Sequence, residues 1–399
     1  MRIINSLGHV VGGTLLVAGT TIGVGMLALP VVTGHAGFFP SLTIYLLCWA
    51  FMLCTGLLLI EVNLSMPAGT SFISMGERLL GPVGKNIFWV MYLFLFTTVM
   101  IAHVAGGGDI LREIPGWPFP EQFSAILYTA IFAPVVYLGA RSVDRLNMFL
   151  ISGVAFFYFG FVAVSLSSVT TKLLTHAEWS QAWFAVPVLF TAFTYQIIIP
   201  TLMNYLERDV RKVRLAIIFG SSIPLIVYLI WEFVILGIVP VDGPSGLIEA
   251  ARLGHNAVIP LQYFVKSNWM STFSRFFAFF ALTTSFIPLA LSFQDFLHDG
   301  LKWEKSGVKK MTLCAIVFGV PAVIAIIYPG IFLKALGYAG GISCAFLFGL
   351  MPPVMAWVCR YIKHYPVGTR QLPGGKPALV LLMIISFFIL AGQVFQQLV

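Results

Sequence analysis

Eleven runs of apolar residues, most of them about twenty residues long, constrain this chain more than any other feature. A run of that length crosses the hydrocarbon of a bilayer as a helix. The runs fall near residues 7–31, 38–60, 86–106, 123–140, 146–168, 184–205, 215–239, 272–297, 311–328, 332–358 and 377–397. No segment between them is long or polar enough for a separate soluble domain, so residues 1–399 read as one all-α membrane domain. Only 10% of the residues are charged and 59% are hydrophobic, whereas a soluble domain carries about 25% charged residues. Transmembrane strands would alternate apolar and polar positions and give a weaker signal. The first run is too long for a leader and lacks a small-residue cleavage site, so it is read as the first spanning helix.

The net charge of +8 sits in short loops between the runs. With the N-terminus inside, seventeen of the 23 Lys and Arg residues fall on the inner side. The outer side receives Arg112, Lys172, Arg252, Lys266, Arg275 and Lys334. That bias puts the N-terminus in the cytoplasm, and eleven crossings put the C-terminus outside. Charge dispersed in this way does not make a nucleic-acid face. The five cysteines lie in or beside apolar runs without a CxxC pair. They read as buried thiols, and no metal, disulfide or cofactor is implied.

Two runs contain residues that disfavour a helix interior. The first reads Gly19-Thr20-Thr21-Ile22-Gly23-Val24-Gly25-Met26, with three glycines and two threonines in seven residues. In the sixth, Pro187 and Pro200 bracket Phe190-Thr191-Ala192-Phe193-Thr194-Tyr195-Gln196. Irregular backbone survives in a membrane only where it lines a protein cavity, although small residues such as Gly19 and Gly23 also serve close helix packing. Breaks five spans apart are the mark of two inverted repeats with the site between them. The expected division is residues 7–168 for spans one to five, 184–358 for spans six to ten, and 377–397 for an added span. Half-helix N-termini suit a carboxylate, and freed carbonyls suit an ammonium or a cation.

The stretch Val17 to Pro30, VAGTTIGVGMLALP, resembles the hydroxy and aromatic amino-acid permeases of bacterial inner membranes. LLLIEV at Leu57–Val62, FGSSIPLIVYLIW at Phe219–Trp231, LGYAG at Leu336–Gly340 and GGKPALV at Gly374–Val380 extend the resemblance along the whole chain. The family resembles the broken-helix amino-acid transporter fold (LeuT-like), which implies an aromatic amino acid as substrate, tyrosine before tryptophan. It implies substrate contacts at Thr20, Thr21, Gly23, Val24 and Gly25, and a sixth-span wall of Phe190, Thr191, Phe193, Thr194 and Tyr195. Several relatives carry glycine where Thr194 stands and histidine where Gln196 stands, so the pocket shape differs here.

For the coupling ion, the resemblance implies proton symport. Intramembrane Glu232 is a functional candidate by default, and His103 is a second one. The eighth span, Phe280-Ala281-Leu282-Thr283-Thr284-Ser285, instead resembles a sodium site. Its ligands would be carbonyls of Gly19, Ile22 and Phe280 with hydroxyls of Thr283 and Thr284, oxygen donors suited to a hard cation. Those threonines equally suit bonds back to their own helix. Glu61 reads as an interfacial anchor or cap partner, Asp295 and His298 as gate or surface groups, and Tyr92, Thr97 and Thr98 as third-span lining. The phenylalanines at 276, 277, 279 and 280 read as lipid-facing or packing residues.

A channel needs a filter ring or continuous polar path, and no repeated filter motif occurs. A membrane enzyme needs a nucleophile beside a base, and neither Gly220-Ser221-Ser222 nor Thr283-Thr284-Ser285 has one nearby in sequence. No phosphate-binding motif occurs, so ATP is not the driver. The chain reads as a secondary transporter, with lipid, an amino acid and H+ or Na+ as its partners; oligomeric state leaves no mark in the sequence.

Overall fold

A backbone N–H or C=O finds no water in hydrocarbon, so an apolar run closes its hydrogen bonds within itself as a helix. The computed structural model describes residues 2–113, 120–265, 267–303, 307–365 and 370–398, and no strand occurs among them. Lys266, counted above with the outer charges, lies outside the described residues.

The first run divides into α1 (Arg2–Thr21) and α2 (Val24–Thr33). Then follow α3 (Phe38–Leu64), α4 (Phe72–Arg112), α5 (Glu121–Leu138) and α6 (Ala140–Ser165). The sixth run forms α7 (Val186–Ala192) and α8 (Ile199–Tyr205). Beyond it come α9 (Val210–Ile238), short α10 (Leu247–Leu253) and α11 (Val258–Phe264), α12 (Asn268–Leu301) and α13 (Gly307–Ile327). The tenth run comprises α14 (Phe332–Tyr338), a π-helical stretch Ala339–Leu350, α15 (Met351–Trp357) and a further π-helical turn; α16 (Gly375–Leu398) closes the chain.

Among the described residues, nine helices are long and apolar enough to cross a bilayer, or ten when the pair Gly8–Thr21 and Val24–Thr33 counts as one bent span. The run at 123–140 forms the shorter α5. The third run begins earlier than its apolar core suggests. A turn at Gly81 (φ 76°) and Pro82 joins the segment from Phe72 to the span proper, a backbone angle that glycine adopts without strain.

Small residues set how closely the helices approach. α1 lies along α9, where Gly220 admits Val17; α12 lies along α6, where Gly153 and Gly160 admit the rings of Phe280 and Phe273. Gly340 rests on the Pro187 carbonyl and fixes the tenth run against α7. Phe277 is buried against Trp231, with ring centroids 5.1 Å apart, while Phe276 is 48% exposed.

The end of the bundle that holds the start of α1 is braced by charge. Arg208 donates to the carbonyls of Asn63, Leu64 and Met66 at the end of α3 (3.0, 3.2 and 3.0 Å). Arg360 grips Glu61 with two bonds, 2.5 and 2.7 Å, and the Gln371 amide adds a third at 3.2 Å. Glu61 is therefore a fully buried ion-pair partner joining α3 to the tenth run, beyond the anchor or cap role read from sequence. At the opposite end α10 and α11 cover α2: the Ala257 amide donates to the Leu27 carbonyl (2.9 Å), and Leu247 packs on Gly34. A cavity of about 380 Å³ in this covering segment is lined by Glu249, His255 and Tyr263 among others, and shares no lining residue with the helix breaks.

Candidate functional site

α1 ends at Thr21 and α2 starts at Val24 at an angle of 55°. The sixth run unwinds over Phe193–Tyr195, between α7 and a short 3-10 turn at Gln196–Ile198. Both breaks stand where the glycines, threonines and prolines placed them. They also face each other, since a Cβ on Gly25 would lie 2.8 Å from Ala192 Cα, so the start of α2 touches the end of α7 backbone to backbone.

The break separates donors from acceptors. The first N–H groups of a helix have no intrahelical partner, and among the described residues no protein acceptor meets the amides of Gly23, Val24 or Gly25. Among the described residues no backbone N–H reaches the carbonyls of Gly19 or Ile22. The donors are buried. Gly19 and Thr20 are exposed, and a Cβ on Gly19 would touch nothing within 4 Å. The hydroxyls of Thr20 and Thr21 return to the carbonyls of Leu16 and Val17, each at 2.8 Å.

The sixth-run residues form a packed wall. Phe190 stacks on Phe51 (centroids 5.2 Å apart), and Phe193 meets Tyr45 edge-on (6.2 Å) and Tyr228 at a tilt (5.4 Å). The Tyr195 hydroxyl donates to the Met52 carbonyl (3.1 Å), with Gly56 making room for the ring. Gln196 accepts from the Tyr195 amide (3.0 Å) and donates to the same Met52 carbonyl (3.2 Å). Thr191 reaches the Leu336 carbonyl (2.9 Å) and Thr194 the Phe190 carbonyl (2.6 Å); both side chains remain half-buried.

Three features escaped the sequence. The first is Tyr228 of α9, fully buried, whose hydroxyl donates to the Thr21 carbonyl (2.7 Å) and lies 3.0 Å from the Ala192 carbonyl. One phenol thus joins the ends of α1 and α7. The second is Ser285, which stands against Gly23: a Cβ there would come within 2.9 Å of Ser285 Cβ and 3.0 Å of its Oγ. The third is a base beside that serine, where sequence reading found none. His103 Nε2 lies 2.8 Å from Ser285 Oγ, and His103 is 1% exposed.

The remaining candidates spread apart. Thr283 pairs with Tyr128 of α5 (3.1 Å), and Thr284 donates to Asn147 of α6 (2.6 Å). Phe280 stacks on Phe157 (5.2 Å). Glu232, 0% exposed, accepts from Tyr45 (2.8 Å) and contacts the Thr33 hydroxyl at the far end of α2. Thr97 and Thr98 bond back to their own helix (2.8 Å each), and Tyr92 is enclosed by Phe72, Phe96, Phe296 and Phe348. His298 bonds to the Trp303 carbonyl.

Known proteins share this sequence over nearly its full length. The tryptophan-specific transport protein of Haemophilus influenzae is 28% identical, covering 96% of this chain and 93% of its own. The tyrosine-specific transport system 1 of the same organism is 29% identical over 95% of each chain. The low affinity tryptophan permease of Escherichia coli is 28% identical, over 97% and 96%. These relatives are transport proteins and permeases rather than enzymes, which decides how the His103–Ser285 pair is to be read. The profile of the tryptophan/tyrosine permease family matches residues 7–393, and the chain, a multi-span membrane protein, belongs to that family of aromatic amino-acid permeases.

Proposed function

We propose that this chain imports an aromatic amino acid, L-tyrosine first, across the bacterial inner membrane by proton symport, with its N-terminus in the cytoplasm. In this reading eleven spans form two inverted five-helix repeats plus a last helix, a LeuT-like arrangement. The observation that carries it is the pair of facing breaks with three buried, unengaged N–H groups at Gly23–Gly25. A helix N-terminus attracts a carboxylate without a cationic side chain. The open carbonyls at Gly19 and Ile22 suit the substrate ammonium. Phe190, Phe193 and Tyr195 would lie beside the aromatic ring, each contact contributing roughly 0.5–1.5 kcal/mol beyond burial.

Proton coupling is favoured over sodium by the threonine pair. The hydroxyls of Thr283 and Thr284 are engaged with Tyr128 and Asn147 on two different helices. Tryptophan is the second reading, since relatives named for tryptophan align as fully as those named for tyrosine. The test is counterflow of labelled tyrosine in proteoliposomes, competed by each of the twenty amino acids, then uptake under a pH gradient and under a sodium gradient alone. Tyrosine and tryptophan should compete, alanine should not, and only the pH gradient should drive accumulation. Competition by alanine equal to that by tyrosine, or accumulation driven by sodium alone, defeats the reading.

A further inference from the structure

We infer that Ser285 reads the protonation of His103 and passes it to the substrate carboxylate, so that the proton and the amino acid bind as a linked pair. The inference rests on the carboxylate site proposed above at Gly23–Gly25.

The geometry begins with His103. Its Nδ1 lies 2.8 Å from the Val99 carbonyl, which can only accept, so Nδ1 carries a hydrogen in either charge state. In the neutral ring Nε2 is then an acceptor, and the Ser285 hydroxyl, 2.8 Å away, donates to it. That uses the only hydrogen Ser285 has, and a carboxylate at Gly23 would meet the lone pairs of Oγ. A proton arriving on Nε2 reverses the bond. Nε2–H now donates to Oγ, and the serine hydrogen is released to another acceptor. Without substrate it turns to the Ala281 or Leu282 carbonyl, 3.2 and 3.1 Å from Oγ. With substrate it turns to the carboxylate, because Oγ stands at the Gly23 backbone where the α2 amides converge. The proton enters from water on the high-proton side, stays on Nε2 while the carboxylate is bound, and leaves to water on the other side. No covalent bond is made or broken beyond that protonation.

On the helix of His103 itself, the buried Asp109 stands six residues on and Arg112 nine. Phe286 stacks on the imidazole (5.9 Å) and also contacts Tyr128 of α5 (5.1 Å), whose hydroxyl is on Thr283. On α12, Arg275 and Asp295 stand ten residues to either side of Ser285, about 15 Å along the helix, and His298 lies beyond. Lys309, Lys310 and Cys314 occupy the early turns of α13; Lys334 of α14 is exposed; Cys344 lies by Thr191 and Thr194; α2 carries no ionisable side chain. Among the described residues no carboxylate or cation pairs with His103.

Linkage is reciprocal: a proton that favours substrate is itself held more tightly when substrate is bound. If only the protonated state binds well, the KM for counterflow rises about tenfold per pH unit above the His103 titration. The test measures counterflow of labelled L-tyrosine and L-tryptophan from pH 5.5 to 8.5, and accumulation under a pH gradient, for the wild type, His103→Gln and Ser285→Ala. In wild type KM should rise with pH. Both variants should still exchange substrate, with a KM at least tenfold above the acid wild-type value and flat across the range. Neither should accumulate substrate from a pH gradient. Ser285→Ala keeps the histidine, so it decides the matter should His103→Gln fail to fold. A wild-type pH slope surviving in Ser285→Ala overturns the inference, as does a slope removed by Glu232→Gln and kept in both other variants. Absence of wild-type counterflow with either amino acid would instead refute the substrate reading beneath it.

Discussion

Gly23 and Gly25 look alike in sequence and do different work in the fold. A methyl on Gly25 meets Ala192 Cα at 2.8 Å and cannot be admitted without moving α7, whereas one on Gly23 meets Ser285 Cβ at 2.9 Å and its Oγ at 3.0 Å, so α12 and the serine must give instead. Gly25→Ala should therefore cost stability, about 1–3 kcal/mol for overpacking. Gly23→Ala should cost stability as well, and in addition raise KM, because the displaced group is Ser285. Thermal melts of the purified variants with counterflow KM values separate the two, and equal KM increases at equal stability would show that both glycines only pack. Tyr228 makes a sharper case, since Tyr228→Phe keeps the ring against Phe193 and removes one oxygen. The single phenol hydrogen, given to the Thr21 carbonyl (2.7 Å) with the Ala192 carbonyl beside it (3.0 Å), is then lost, at about 1–3 kcal/mol for the buried acceptor left without a donor. Transport should fall tenfold or more with normal membrane insertion; unchanged transport would show that the two breaks hold together without the phenol.

The elements were legible in proportion to how local their causes are. Every apolar run became helix because hydrocarbon leaves the backbone no other partner, and the breaks at Ile22–Gly23 and Phe193–Tyr195 followed from residues within the runs themselves. The beginning of α4 was not legible, because the polar residues before Gly81 dilute the apolar signal while the helix still forms. Pairings between distant segments were hidden for a different reason. His103 and Ser285 are 182 positions apart, and Glu61 and Arg360 are 299 apart, and neither partner carries a local pattern that names the other. The Glu61–Arg360 pair has its own prediction. Arg360→Met leaves a buried carboxylate uncompensated, which costs about 3–5 kcal/mol, whereas Glu61→Gln combined with Arg360→Met should recover much of the loss. Melting temperatures across the double-mutant cycle measure it; strict additivity would mean that the two side chains do not depend on each other.

Taken whole, the molecule covers one end of α2 and leaves one face of α1 exposed. The exposed face of α1 runs through Leu15, Leu16, Gly19 and Thr20, whereas α2 is buried along most of its length. With native cysteines replaced, Thr20→Cys should react with a charged thiol reagent applied from the cytoplasmic side, and Val24→Cys should not. Labelling of Thr20→Cys from the opposite side only would reverse the proposed orientation. The covering segment has a consequence of another kind. Because the Ala257 amide holds the Leu27 carbonyl, the loop and the half-helix beneath it form one body. Any motion that opens the break toward that side must carry α10 and α11 along. A binder raised against the surface of these two helices would therefore clamp the carrier from a distance, acting as a brake that never enters the amino-acid path and that no excess of substrate displaces.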